Sequence, residues 1–133
     1  MPALTAPAVL DSLPLVRDYA MSRAREAGVP DQVLSRLDLV IEEVFVNVTN
    51  HAYDDGNGDV EIECAPSGRK FCCTIRDTGS PFNPLDTPQP AKDQDIDQRP
   101  IGGLGLFFVS EMTDDRSYER RGDTNELTLC FFF

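Results

Sequence analysis

Between residues 31 and 75 the apolar side chains change their spacing, and that change limits the possible folds more than any other feature of the chain. Val33, Leu34, Leu37, Val40, Ile41, Val44 and Val48 recur every three or four residues, the spacing that aligns side chains along one face of an α-helix. A helix from about Asp31 to His51 is expected. After the turn-rich run Asp54-Asp55-Gly56-Asn57-Gly58-Asp59 the period drops to two. Val60, Ile62 and Cys64 alternate with Glu61, Glu63 and Ala65; Pro66-Ser67-Gly68 turns the chain; Phe71, Cys73 and Ile75 alternate with Cys72, Thr74 and Arg76. This is the pattern of a β-hairpin with one buried face. A striped helix and a half-buried hairpin must cover each other, which calls for helices on one face of a sheet.

The remaining segments extend this plan. Asp11-Ser12 before Leu13-Pro14 is a helix-start signal, with a capping residue and Pro in the first turn. Leu15, Val16, Tyr19, Ala20 and Ala24 continue at helical spacing until Gly28-Val29-Pro30. From Asp77 to Gly103 runs a segment rich in Pro, Gly, Asp and Gln, longer than the ~12–15 residues usual for a connection without its own structure. Segments of this kind are functional lids or are disordered. Leu104 to about Thr113 reads as a short apolar helix, and Ser117–Arg121 with Glu126–Phe133 as a final hairpin across Gly122-Asp123-Thr124-Asn125. Strict alternation puts Leu129, Phe131 and Phe133 on one side and Cys130 and Phe132 on the other, with core packing the expected use. The order is (β)-α-α-β-β-loop-α-β-β, the first strand being left open. The fold class expected is an α+β two-layer sandwich, with a mixed, mainly antiparallel sheet and helices on one face. A chain of 133 residues with no internal repeat and no linker is expected to be a single domain.

Charge and composition exclude several functions. Twenty-three Asp and Glu against 12 Lys and Arg give a net charge of −11, which disfavours binding to a polyphosphate backbone. No direct nucleic acid partner is expected. A basic protein, or a small anion held by backbone amides, remains compatible. No apolar run reaches the ~18–20 residues of a membrane span, and the first residues do not form a signal peptide. The protein is therefore read as cytoplasmic, with no membrane partner. In that compartment Cys64, Cys72, Cys73 and Cys130 are expected as buried thiols rather than disulfides or metal ligands. His51 is the single histidine, so a zinc site of several histidines has little support.

Three clusters call for a chemical reading. Glu43 and Asn47, four residues apart on the long helix, share a narrow sector with Asn50, and His51 extends the strip. Asn offers a carbonyl oxygen to Mg²⁺ and Glu can take a proton; the alternative is a solvated flank. Asp77-Thr78-Gly79-Ser80-Pro81-Phe82 follows a strand. There a carboxylate can accept from an exocyclic amine, Gly79 lets a flat ring approach, and Phe82 supplies apolar cover. The alternative is a shaped turn. Gly102-Gly103-Leu104-Gly105-Leu106 precedes an apolar helix and can turn backbone N–H groups toward an anion, or it simply starts the helix. No G-x-x-x-x-G-K-[ST] motif occurs, so a nucleotide here would be held by backbone amides and a metal.

In combination, E-x-x-x-N on a helix, D-x-G-x-P-F after a strand and G-G-L-G-L before a helix resemble the three nucleotide-binding boxes of the GHKL ATPases, the Bergerat or histidine-kinase-like ATPase fold. The nearest likeness is to the bacterial anti-sigma-factor serine/threonine kinases, through Glu43, Asn47, His51, Ala52 and Tyr53, through Asp77 to Pro84, and through Gly102 to Leu106. It spans about Leu13 to Leu129. The resemblance implies ATP and Mg²⁺ as ligands. Glu43 would be the catalytic general base, Asn47 the Mg²⁺ ligand, Asp77 the acceptor for the adenine amine, and Gly79 and Phe82 the ring's neighbours. His51 and Gly102, Gly103, Leu104, Gly105 and Leu106 would also contact the cofactor, within one domain whose ATP lid covers about residues 83–101. Asn125 stands where relatives often carry a Thr near the adenine, and Arg99 is a candidate γ-phosphate contact.

Sensor histidine kinases tend to have Asn at the position of Glu43 and need a phospho-accepting His on a helical hairpin; topoisomerase and chaperone relatives carry further domains. The implied activity is thus phosphorylation of a Ser or Thr on a STAS-domain anti-sigma-factor antagonist. A sigma factor is the alternative partner and a homodimer the expected assembly. Two other readings stay open: an ATP-binding regulatory module that transfers no phosphate, and a scaffold that binds no nucleotide.

Overall fold

A computed structural model describes residues 3–51, 58–83, 85 and 109–133. The order is β1 (Leu4–Pro7), a 3₁₀ turn (Leu10–Ser12), α1 (Leu13–Glu26), α2 (Asp31–His51), β2 (Asp59–Ser67), β3 (Lys70–Asp77), β4 (Asp115–Arg121) and β5 (Thr124–Phe132). The strands form one five-stranded sheet in the order β1-β2-β3-β5-β4. Its four pairings are all antiparallel, so among the described residues the sheet is antiparallel rather than mixed. The two-layer α+β architecture is as expected.

The helix stripe and the strand alternation meet in one core. Val33, Leu34, Leu37, Val40, Ile41, Val44 and Val48 are all buried. So are Val60, Ile62 and Cys64 of β2, Phe71, Cys73 and Ile75 of β3, and Leu127, Leu129 and Phe131 of β5. Phe132 and Phe133 are exposed, which restricts core packing at the end of the chain to Leu129 and Phe131. On α1 the buried residues are Val16, Ala20 and Ala24. Leu15, expected on that stripe, is half exposed; it stands one position, or ~100°, from Val16 and falls off the small-residue face that approaches the sheet. Ser12 stands at the helix start, but its side chain makes no capping bond; it closes the preceding 3₁₀ turn with helical φ and ψ rather than the extended conformation typical of a capping residue.

Short strand β1 leaves part of the β2 edge uncovered, and α1 completes it. Pairing with β1 ends at Leu4 opposite Ile62. Beyond that point Cys64 N–H donates to the Tyr19 hydroxyl at 3.3 Å, and Arg23 Nε donates to the Cys64 carbonyl at 3.1 Å. The side chains of α1 thus supply the partners that a longer strand would have given, satisfying backbone groups that are costly to leave unpaired. Arg17 grips Asp38 through two bonds of 2.7 Å and links α1 to α2; at such exposure the pair contributes at most about 1 kcal/mol.

Both hairpins turn more tightly than expected. β2 continues through Ser67, paired with Lys70, and Gly68-Arg69 makes the turn. β5 begins at Thr124, opposite Arg121, so Gly122-Asp123 makes the second turn. Gly68 and Gly122 both have φ of 63°, while among the described residues no other residue type has positive φ. Glycine at the first central position alone is the pattern of a type II′ turn, whose twist suits a two-residue hairpin.

The cysteines divide between the two faces of the sheet. Cys64 and Cys73, buried on the core face, are free thiols with sulfurs in contact. Burial pushes the Cys73 thiol well up, and its hydrogen bond with Cys64 adds to the shift. Cys72 and Cys130 are opposed in the β3–β5 ladder and form a disulfide. This corrects the expectation of four thiols: spacing along the chain says nothing of two cysteines 58 residues apart that a ladder makes direct neighbours. Titration with Ellman's reagent is expected to count two thiols in the denatured, unreduced chain and four after reduction. Four in both cases would show that Cys72 and Cys130 are not bonded.

Candidate functional site

Helix α2, the end of β3 and the start of β5 meet at a cleft. Its apolar lining comes from Val44, Val48, Ile75, Phe82 and Leu127, and its polar lining from Asn47, Asp77, Ser80, Tyr118 and Asn125. The structure thereby brings together four of the residues singled out in the sequence: Asn47, Asp77, Phe82 and Asn125. An apolar slot with a few convergent polar groups is the usual form of a small-molecule site.

Each polar group reaches the cleft by continuing a core pattern. Asp77 ends the buried series Phe71, Cys73, Ile75 on β3 and is itself buried. Asn125 holds the same place on β5, ahead of Leu127, Leu129 and Phe131. These two residues are register partners, and Arg120 of β4 is the partner of Asn125 on the other side. Arg120, Asn125 and Asp77 therefore form a row across three strands at one end of the sheet's core face.

Hydrogen bonds shape the loop after β3 around that row. Gly79 N–H donates to Asp77 Oδ1 at 2.9 Å. Asn125 Nδ2 donates to the same carboxylate oxygen at 3.0 Å and to the Ser80 carbonyl at 2.8 Å. Its Oδ1 accepts from the Tyr118 hydroxyl and, at 3.4 Å, from Phe82 N–H. The amide orientation is forced by chemistry, since Phe82 N–H can only donate and Ser80 C=O can only accept. Arg120 Nη1 closes the loop from the β4 side with a 2.8 Å bond to the Gly79 carbonyl. Asn125, first read as a turn residue beside a ring, thus braces Asp77 and its loop.

On α2, Asn47 is 7% exposed and lines the cleft, while its side-chain amide has no hydrogen-bond partner among the described residues. Glu43, one turn earlier, is half buried and likewise bonds to no described residue. Asn50 faces solvent. A desolvated amide costs free energy unless something meets it, and none of the described residues meets that of Asn47, which lines the cleft. A carbonyl oxygen of this kind suits Mg²⁺, which often takes few protein ligands together with substrate phosphates. Among the described residues no group of three His, Cys, Asp or Glu could hold a metal by itself.

Tyr118 and Arg120 were not foreseen. Their signal is the period-two spacing on β4 that half-buries both while Glu119 and Arg121 face outward. The side chain of His51, the glycine-rich run Gly102, Gly103, Leu104, Gly105 and Leu106, the body of the expected lid and Arg99 lie outside the described residues; residues 109–112, the last part of the expected third helix, are helical.

The family described as the histidine kinase-like ATPase domain matches residues 6–131. The chain is 28% identical over 94 residues to a serine/threonine-protein kinase, BtrW, of Bordetella bronchiseptica, covering 70% of this chain and 66% of that one. It is 26% identical over 132 residues to the serine-protein kinase RsbW of Staphylococcus aureus, covering 94% and 83%. Among solved structures, the RsbU and RsbW domains of Rv1364c from Mycobacterium tuberculosis superpose with a TM-score of 0.63 at 16% identity, over 99% of this chain and 32% of that one. The histidine kinase AdeS of Acinetobacter baumannii gives 0.52 at 12% identity, over 99% and 68%. The structural likenesses concern the fold.

If Asn47 serves a ligand and not the fold, Asn47→Leu is expected to stabilise the free protein by about 1 kcal/mol, since it replaces an unmet amide with apolar volume. Urea melts measure this. A clear loss of stability would show that the amide has a partner.

Proposed function

The chain belongs to the histidine kinase-like ATPase domain family, and from that membership we propose that it is an ATP-dependent serine/threonine protein kinase and anti-sigma regulatory factor. Its substrate would be a Ser or Thr of a STAS-domain anti-sigma-factor antagonist, and in its other complex it would sequester a sigma factor. The observation that carries this reading is the convergence, in one apolar cleft, of a buried Asn47 whose amide no described residue meets with a braced Asp77. The kinase names of the Bordetella and Staphylococcus relatives support the reaction class.

Under this reading each residue has a task. Asp77 receives the adenine amine, Gly79 leaves room for the ring, and Phe82 covers it. Asn47 would hold Mg²⁺, which when bound supplies positive charge to the phosphates. Glu43 accepts the proton of the attacking hydroxyl; its half-exposed place beside Asn47 suits a group that must meet a protein substrate. His51 and the run from Gly102 through Gly103, Leu104, Gly105 and Leu106 would complete the phosphate cradle, under a lid of about residues 83–101. Such a site works by positioning and charge neutralisation. The whole is read as one cytoplasmic domain that forms a homodimer, with protein partners and no direct nucleic acid contact. No described helix is long and apolar enough to cross a membrane.

Incubation with radiolabelled ATP, Mg²⁺ and a STAS-domain antagonist is expected to label the antagonist with the wild type. Glu43→Gln should lower that labelling by at least about 100-fold, the usual contribution of a general base, while ATP binding persists. Wild-type binding without label on any antagonist would leave the regulatory-module reading instead. Separately, Asn47→Ala is expected to weaken Mg²⁺-ATP roughly tenfold or more while sparing metal-free adenosine. Equal losses for both would remove the metal role.

A further inference from the structure

The side of the cleft opposite Asn47 carries more apparatus than a simple acceptor needs. Asp77 Oδ1 receives two donors, from Gly79 N–H at 2.9 Å and from Asn125 Nδ2 at 3.0 Å. Oδ2 receives none among the described residues, and Asp77 lines the cleft. Two donors on one oxygen fix the carboxylate's rotation, so the remaining acceptor has one direction. Asn125 is itself fixed, because all four of its hydrogen-bonding positions are used: two as donor, to Asp77 and Ser80, and two as acceptor, from Phe82 and Tyr118. The Phe82 bond is long at 3.4 Å, which leaves the Tyr118 hydroxyl as the main restraint on the amide oxygen. Tyr118 reaches it from the edge strand β4, where it is paired with Leu127.

We propose that Tyr118 and Asn125 are positioning residues for nucleobase selection, their bridge to Asp77 setting the preference for a 6-amino over a 6-oxo purine. The proposal rests on the reading of the cleft as an ATP site and adds to it the means by which the base is chosen. A 6-amino purine donates to the aimed Oδ2. A 6-oxo purine brings a second acceptor to the same point, and two acceptors left facing each other in a buried slot carry a desolvation penalty with no bond in return. Discrimination is strong only while the carboxylate cannot turn away. A freed Asp77 would rotate to relieve the clash or take a donor from the ring, so loosening the brace would narrow the gap between the two bases.

Calorimetric titration of the full chain with Mg²⁺-ATP and Mg²⁺-inosine triphosphate tests this, since the two differ at position 6 and share the phosphates. Tyr118→Phe, which keeps the ring and deletes only the hydroxyl, is expected to cut the ATP:inosine triphosphate affinity ratio by about fivefold, the scale of one hydrogen bond. Asn125→Ala should cut it by roughly tenfold or more, since it removes the brace itself. A structural role alone would weaken both nucleotides equally and leave the ratio unchanged. That result, or wild-type affinities and ratio in both variants, overturns the proposal while leaving the ATP site standing. A wild type that binds neither nucleotide overturns the ATP reading and this proposal with it.

Discussion

The ladder between β3 and β5 is the constraint on which the cleft depends. Eight register pairs, from Lys70 opposite Phe132 to Asp77 opposite Asn125, hold these two strands together. Within it Phe71, Cys73 and Ile75 face the helices, as do Leu129 and Leu127, and the same phase carries Asp77 and Asn125 inward at the far end. A slip of one residue would turn every one of these to the other face, exposing the core and dispersing the polar row at once. The apolar residues that fix the register are therefore what aims the carboxylate. Burial of Phe71, Leu129 and Phe131, all fully enclosed, supplies the energy that specifies a polar geometry several residues away.

The acidic character of the chain takes on a different meaning beside this cleft. A net charge of −11 opposes a polyanionic ligand at long range. The proposed solution is local: a metal on Asn47 and backbone amides at the phosphates, in place of lysine or arginine side chains. Two arginines of the sheet already serve other purposes. Arg76 bonds Glu126 and Glu61 on the outer face, which raises its pKa, and Arg120 holds the Gly79 carbonyl. An acidic surface of this kind favours basic protein partners.

Much of the fold was legible because two periodicities were strong and separated by an unmistakable turn. α2 has the expected bounds, since seven apolar residues on one stripe leave little freedom. The errors fell where local signals compete. Gly-Asp-Thr-Asn reads as a four-residue turn because all four residue types favour turns, yet cross-strand pairing extended β5 back to Thr124. That difference kept Asn125 out of the strand phase in which its bracing role becomes visible. Leu15 was placed on a buried face by spacing alone, although the sheet selected the small side chains Ala20 and Ala24 for the close approach.

By itself, the sequence determined the elements, the two-layer architecture and the residues able to do chemistry, because hydrophobic period, turn residues and motif spacing are local properties of the chain. It could also place Glu43 and Asn47 on one helix edge. Which groups would be satisfied by the fold and which left open was decided only by tertiary structure, since that depends on partners distant in sequence. Asn47 and Asn125 are the same residue type and both buried. One has its four bonding positions filled by Asp77, Ser80, Phe82 and Tyr118, and the other meets nothing among the described residues. Strand register made the first a brace, and helix packing left the second facing the cleft.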